Sequence, residues 1–277
     1  MLRSLYSGIT GLRTHQVRMD VVANNIANVN TTGFKSARAN FQDVLAQTIG
    51  RTAINTTQVG LGVTLAAIDN IHTQGPLQTT GRVLDLAIEG NGFFVVRDTA
   101  NNDLYTRDGT FYIVPNSGNT AGLLVNAQGY QVYGANDVNA DGTGGTAGLI
   151  QFDSKSPDQI ASISVGNNGV ITVTYGDGST ERARIDLVTF SNVESLARVG
   201  SNLWEVTPGL TQPNPPTAGM PGTEGRGIIR SGYLEMSNVD LAQEFTTMIT
   251  TQRGYQANAR IITTSDELLQ ELVNLKR

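Results

Sequence analysis

The sequence predicts an α+β chain: an antiparallel β body flanked by N- and C-terminal α-helices that pair as a coiled coil. Three observations carry this. Apolar residues repeat every seven positions at both ends of the chain. Between the ends the pattern changes to period two, punctuated by Asn-Gly, Asp-Gly and Gly-rich turns. Strand follows strand there with no helical pattern between, which argues against a wound α/β sheet.

The first helix is read from its columns. Leu5, Leu12, Met19 and Ile26 form one, and Leu2, Ile9, Gln16 and Ala23 the other. Asn24, Asn25, Asn28 and Asn30 then weaken it, because Asn side chains compete for backbone hydrogen bonds. Gly33, free to take a positive φ, is the expected stop. Asn28, Asn30, Gly33 and Phe34 form the expected turn at which the chain changes direction, and Phe34 and Phe41 are expected to anchor the connector against a neighbour. Residues 31–75 are expected as an extended connector, within which "FQDVLAQTI" suits a short helix and "GLGVTLAAIDNIHTQG" a strand and turn.

The β body is expected over residues 76–237. "LDLAIEGNGFFVV", "LYTRDGTFYIV", "GLLVNAQGYQVYG", "SISVGNNGVITVTYGDGSTERARIDLVTF" and "NLWEV" read as its strands, and residues 208–227 as a Pro/Gly loop. The last helix repeats the logic of the first. Leu241, Met248, Tyr255, Ile262 and Leu269 recur every seven residues, partnered by Phe245, Gln252, Ala259 and Val273. Ser237 and Asn238 are capping candidates. Residues 1–30 and 238–277 together are the expected terminal helical domain.

Each helix seam is narrow, which suits helix-on-helix packing better than packing on a sheet. A pair covers only one side of each helix, and Val22, Val29, Ile249, Leu268 and Leu272 stay outside it. The surplus apolar surface implies further neighbours, most simply copies of the same chain. In an antiparallel pair Gln16 and Gln252 fall at one level, where a buried amide pair sets register or both face outward.

Composition excludes several chemistries. With no cysteine, there is neither a disulfide framework nor a thiol nucleophile. Residues 1–51 hold six Lys/Arg against two Asp/Glu, 52–238 nine against seventeen, and 239–277 four against five. The N-terminal cations are scattered rather than gathered on one helical face, so no nucleic-acid partner is expected. No stretch of about 18 apolar residues suggests membrane insertion, and "MLRSLYSGITGLRTHQ" lacks the pattern of a cleaved secretory signal.

His15 and His72 are the only imidazoles and lie far apart. Glu89 lacks an evident catalytic partner. "DVNADG", Asp137 to Gly142, starts like a calcium loop but has Gly148 where a bidentate Glu belongs. No catalytic residue, cofactor or metal is expected.

"NNIANVNTTGFKSARANFQD", "QGPLQTTGRVLDLAIEGNGFFVV" and "SGYLEMSNVDLAQEFTTMITTQRGYQANARIITTSDELLQELVNL" resemble the bacterial flagellar axial proteins, the rod, hook and hook-associated subunits. "RANFQDVLAQTI" and "QRGYQANARIITTSDELLQELVNLKR" look more like the hook subunit than the distal rod subunit, although the chain is short for a hook protein. The resemblance implies a structural subunit of a helical tube, its terminal helices lining a channel, acting as a flexible joint that passes motor torque to the filament. It also implies location in the flagellum outside the cell, and passage unfolded through the flagellar type III export apparatus. Its partners would be itself, the adjoining rod and hook–filament junction proteins, and a hook cap during assembly. The alternatives are the distal rod protein and a secreted β-rich binding module.

Overall fold

A computed structural model describes residues 2–51, 56–115, 122–152, 157–207 and 218–275. They form two compact units. One joins Met1–Val29, Lys35–Ile71 and Val239–Arg277, and the other joins Asn30–Phe34 to His72–Asn238. The class is α+β, with an antiparallel β-rich body and a helix at each end of the chain.

The first unit is built on α1 (Leu2–Ala27) and α2 (Leu241–Leu275). Asp240 opens α2, its carboxylate accepting the Ala242 N–H at 2.9 Å. Between the helices in sequence comes a long β ribbon. Strand β1 (Ala37–Asp43) pairs antiparallel with β4 (Val63–Asn70), and β2 (Ala46–Arg51) with β3 (Thr56–Gly60). The ribbon replaces the expected short helix at "FQDVLAQTI". Nine residues of helix are marginal alone, whereas the segment after residue 56 supplies a ladder partner for nearly every residue of β1 and β2. A two-stranded ribbon is itself marginal unless something covers it. Its inner half lies on α1: Phe41 packs edge-on to His15 at 6.1 Å, and Val63 N–H donates to Thr10 Oγ1 at 3.4 Å. The outer half exposes Val59, Leu61 and Leu45, the last 84% exposed.

The second unit is a 13-stranded antiparallel sheet with short two-stranded additions. Its main path runs Ile160–Val165, Val170–Tyr175, Thr180–Ile185, Gln131–Asn136, Phe93–Arg97, Asp103–Thr106, Leu203–Val206 and Leu196–Gly200. Tight turns close its hairpins. Ser201 and Asn202, both at positive φ (50° and 58°), join the last two strands in the backbone twist that hairpins favour. The "FFVV" run is continuous because both faces of its strand are covered. Phe94 and Val96 enter one core with Leu86, Ile88 and Phe111, while Phe93 and Val95 enter another with Tyr105, Val188 and Trp204. Of the Pro/Gly stretch, residues 208–217 lie outside the described residues, and Gly219 makes an isolated bridge to Leu187.

Candidate assembly interface

Helices α1 and α2 run antiparallel, and the α1 residues that touch α2 sit one position before the expected columns. Ser4 Oγ lies 3.4 Å from Ser265 Oγ. A methyl on Gly8 would lie 3.3 Å from Ile262 Cγ1, and one on Gly11 would lie 2.6 Å from Asn258 Nδ2. On Gly254 a methyl would come within 2.8 Å of the His15 ring. Further along, Asn25 Nδ2 donates to Glu244 Oε1 at 3.1 Å. Ser4, Gly11 and Asn25 are separated by multiples of seven, as are Glu244, Asn258 and Ser265. The period is that of a coiled coil, but the contacts are small and polar. Glycine lets the backbones close in, because interaxial distance depends on the side chains at the contact.

The consequence is that the apolar columns face outward or sideways. On α1, Leu5, Leu12, Met19 and Ile26 are half-buried, while Ile9 and Gln16 are exposed; the side chain of Leu2 lies outside the described residues. On α2, Met248, Ile262 and Leu269 are half-buried, and Leu241, Phe245, Gln252 and Tyr255 are exposed. Phe245 and Ile249 leave half their surface open, at 50% and 55%, and Tyr6 leaves 67%. Gln16 and Gln252 do fall at one level, but both are exposed and no hydrogen bond joins them. The polar pairs that cross the helices are Asn25 with Glu244 and Ser4 with Ser265.

Asn25 is a three-way joint. Its amide accepts the Ala37 N–H at 3.0 Å and donates to the Ala37 carbonyl at 2.8 Å, so it pairs with β1 as a neighbouring strand would. With its third contact on Glu244, the side chain is 1% exposed. Two titrations bear on this packing. Burial, with Arg18 nearby, holds His15 below its ordinary value of 6.5. Burial and, more weakly, Asp240 raise Glu244 above 4.5, partly offset by the Asn25 hydrogen bond and Arg18. A lowered imidazole pKa means the unfolded chain takes up the proton first. The His15 contribution is therefore complete above pH 6.5 and is lost as pH falls through the lowered value. Glu244 acts oppositely, its contribution complete below 4.5 and lost as pH rises through the raised value. His15→Gln is therefore expected to flatten the loss of stability below pH 6.5. Thermal melts of the helical signal at pH 7.5 and pH 5, compared with the parent chain, check this.

Of the turn residues, Asn30, Gly33 and Phe34 sit in the second unit and Asn28 in the first. Gly33, at φ +66°, donates its N–H to the Glu235 carbonyl at 2.8 Å, and a β-carbon there would lie 2.7 Å from the Asp108 nitrogen. Thr32 Oγ1 donates to Asp108 Oδ1 at 3.1 Å, and Asn202 Nδ2 donates to the Thr32 carbonyl at 2.8 Å. Phe34 is buried beneath the Arg198 guanidinium, 4.6 Å from the ring centre, and Arg198 also covers Trp204 at 5.1 Å. Asn28 is half-buried, bonding back to Asn24, and Asn30 is exposed.

At the centre lies a buried ion pair. Arg107 Nη1 donates to Glu235 Oε2 at 3.2 Å, while Glu235 Oε1 accepts the Gly75 N–H at 2.9 Å. One carboxylate and its own backbone thus hold Gly33, Gly75 and Arg107. The segments by which the chain enters and leaves this unit are fastened at one point within it.

Three family models match in order along the chain: a flagella basal body rod protein model at residues 5–35, a flagellar hook protein FlgE/F/G D1 domain model at 87–173, and a flagellar basal body rod FlgEFG C-terminal model at 230–275. The chain is 46% identical to the flagellar basal-body rod protein FlgG of Bacillus subtilis, with all of both chains covered. It is 38% identical to the FlgG of Borreliella burgdorferi and 32% identical to the flagellar hook protein FlgE of the same organism, again covering all of both chains. The chain belongs to the flagellar rod and hook axial protein family.

The structure gives each of the isolated polar residues singled out in the sequence a local partner. Glu89 pairs with Arg230 at 2.7 Å, a partner invisible in a sequence where they stand 141 residues apart. In the Asp137–Gly142 loop, the Gly142 carbonyl accepts from the Arg184 guanidinium, so a cation already occupies that oxygen. His15 fills the hollow over Gly254, and His72 packs at a tilt against Trp204, ring centres 4.7 Å apart. Sequence reasoning about this axial protein missed Arg107, Glu235, Asn25 and Glu244. The signal available was the small-residue set Ser4, Gly8, Gly11 opposite Gly254, Asn258, Ser265, which shares the seven-residue spacing of the apolar columns.

Proposed function

We propose that this axial protein is a distal-rod-type subunit of the flagellar basal body, polymerising into a helical tube through its terminal-helix unit. The apolar stripe on the paired helices carries this reading. Phe245, Ile249, Tyr255, Ile261 and Leu268 stay open after α1 and α2 have paired. Covering the half of each side chain that is still open gains about half of the roughly 1.5–3 kcal/mol of full burial, and sister copies offer the matching surface. In this reading residues 1–30 and 238–277 line the channel, with Leu5, Ile9, Leu12, Met19, Ile26, Leu241, Phe245, Met248, Tyr255, Ile262 and Leu269 available to neighbours.

Length supports rod over hook. The FlgG relatives of Bacillus subtilis and Borreliella burgdorferi align end to end over 286 and 288 residues, whereas the FlgE relative requires 445. The motifs that suggested a hook subunit lie within stretches that those FlgG relatives also cover. The adjoining partners are then the neighbouring rod and hook proteins, and the route out of the cell is the flagellar type III apparatus. A secreted binding module would have no use for an uncovered stripe on two matched helices.

The test is polymerisation of the double variant Phe245→Asp, Ile249→Asp. Surface changes of this kind alter the fold by only about 0.5 kcal/mol, so the monomer should melt like the parent. Tubes should disappear in sedimentation and electron microscopy. Normal tubes would refute the assembly reading. Electron microscopy of a deletion strain separates the finer choice: a truncated rod fits a distal-rod subunit, and a finished rod without a hook fits a hook subunit.

A further inference from the structure

In the helical unit, α1, α2 and the edge of β1 enclose a half-open cavity of about 150 Å³, lined by Arg18, Val22, Ala39, Ile71, Glu244 and Thr247. The space is several times the roughly 30 Å³ that one water occupies in the liquid. Its polar rim is open. The Ile71 N–H donates to the Ser36 carbonyl at 2.8 Å, which begins the ladder between β1 and β4. Along β1 the backbone groups then alternate: those of Arg38 face β4, and those of Ala37 and Ala39 face away. The Asn25 amide takes both groups of Ala37, and among the described residues nothing takes those of Ala39. A bare strand edge is a template for pairing with another chain. Arg18 makes no hydrogen bond or ion pair among the described residues, and each of its guanidinium nitrogens keeps some contact with solvent. Glu244 Oε1 accepts from Asn25 at 3.1 Å, which leaves Oε2 unbonded and open to solvent.

We infer that this cavity is an amide slot, and that in the polymer it holds the Gln252 side chain of a second copy of the chain. The rim presents a donor and an acceptor from Ala39, donors from Arg18 and an acceptor from Glu244. A carboxamide answers both kinds without a charge. A carboxylate would meet Glu244 and the Ala39 carbonyl, and a Lys or Arg would meet Arg18, each a like-charge or like-dipole clash. Asn25 already makes the same pairing two residues earlier, its amide spanning both backbone groups of Ala37. Gln252 is an amide in need of such a partner. It lies on α2 between Ile249 and Tyr255, within the outward apolar stripe, and makes no hydrogen bond among the described residues. When sister copies cover that stripe the amide is covered with it, and a buried polar group requires hydrogen bonds. The slot borders the same stripe, because Glu244 precedes Phe245. Slot and amide occupy different parts of the surface, so the contact is head-to-tail, and such contacts propagate into helical filaments. The inference rests on the polymerising reading above and names one contact within it.

Gln252→Met separates this assignment from simple apolar burial, because the two give opposite signs. Met keeps the length of Gln without its amide, so an apolar stripe alone would polymerise at a lower critical concentration. The slot requires the reverse: a critical concentration raised roughly tenfold, as when buried polar groups lose their partner. Ala39→Pro removes the outward N–H and no ladder bond, a place where an edge strand tolerates proline, and should raise it by a similar factor. Val21→Phe, which fills the cavity from α1, stands in should Ala39→Pro melt below the parent. Combining Gln252→Met with the slot variant should be no worse than either alone, since both remove one contact. All are read by sedimentation, on chains whose monomers unfold at the parent's temperature. Gln252→Met tubes that form as readily as the parent's, or more readily, would overturn the slot. Normal polymerisation of the slot variants beside a weakened Gln252→Met would send the amide elsewhere and sink the assignment, as would combined losses that multiply. A parent that never polymerises, or normal tubes from Phe245→Asp with Ile249→Asp, defeats the assembly reading and this assignment with it; parent tubes indifferent to Gln252 defeat the slot alone.

Discussion

Glu235→Ala is expected to cost the β unit about 3–5 kcal/mol, because it strands a buried cation and leaves the buried Gly75 N–H without its acceptor. The pair is enclosed, with side chains 6% and 0% exposed for Arg107 and Glu235. The carboxylate does more than balance charge. It accepts the Gly75 N–H at 2.9 Å as well as Arg107, and Gly33 bonds to the same residue's carbonyl. Gly75 has no freedom to retreat, since a β-carbon there would overlap the Met236 carbonyl oxygen.

The charge-swapped double variant, Arg107→Glu with Glu235→Arg, carries a sharper expectation. If attraction were the whole effect, the swap would restore stability. Here it would set a guanidinium against the Gly75 N–H and a carboxylate against the Gly90 carbonyl, so little rescue is expected. Urea unfolding monitored by the fluorescence of Trp204, the chain's one tryptophan, reports both. Glu89→Ala is the control, because its pair with Arg230 is exposed and worth about 0–1 kcal/mol. A Glu235→Ala loss no larger than the control, or full recovery by the swap, would show that the junction is not held in this way.

Gly254→Leu should separate α1 from α2, and here two effects of opposite sign compete. Local helix propensity favours Leu over Gly by roughly 0.5–1 kcal/mol in a helix interior. Tertiary packing opposes it, because the first side-chain carbon would already lie 2.8 Å from His15 Cε1 and 2.9 Å from its Nε2. Overpacking of this kind costs about 1–3 kcal/mol. The net expectation is a loss, read as faster amide exchange along α1 and α2 with the β unit's exchange unchanged. Adding His15→Ala should recover much of it by making room. A stabilised single variant would mean that these helices do not pair along the glycine seam. Polymerisation of Gly254→Leu should fail together with the pairing, since the outward stripe is positioned by the seam behind it.

The places where helices and strands occur could be read from neighbouring residues. Seven-residue columns mark α1 and α2, and period-two runs between Gly-rich turns mark the sheet, because both patterns reflect geometry repeated along a few turns or pleats. "FQDVLAQTI" escaped that reading. Its ribbon depends on partner segments that begin at Thr56 and Val63, and the pattern within these nine residues cannot announce a ladder supplied from elsewhere.

The periodicity of the helices was legible, but which stripe faces the partner was not. Leu5, Leu12, Met19 and Ile26 announce a seam, yet Ser4, Gly8, Gly11 and Asn25 form it. The offset is one residue, about 100° around the helix at 3.6 residues per turn. A single chain's periodicity states that an apolar face must be covered and leaves open by what. Here close approach through glycine wins inside the molecule, and the larger side chains remain for whatever lies outside. Arg107, Glu235 and Gly75 were hidden for the same reason: 128 residues separate the ion pair, and its meaning arises only when three distant passages of chain converge on one buried carboxylate.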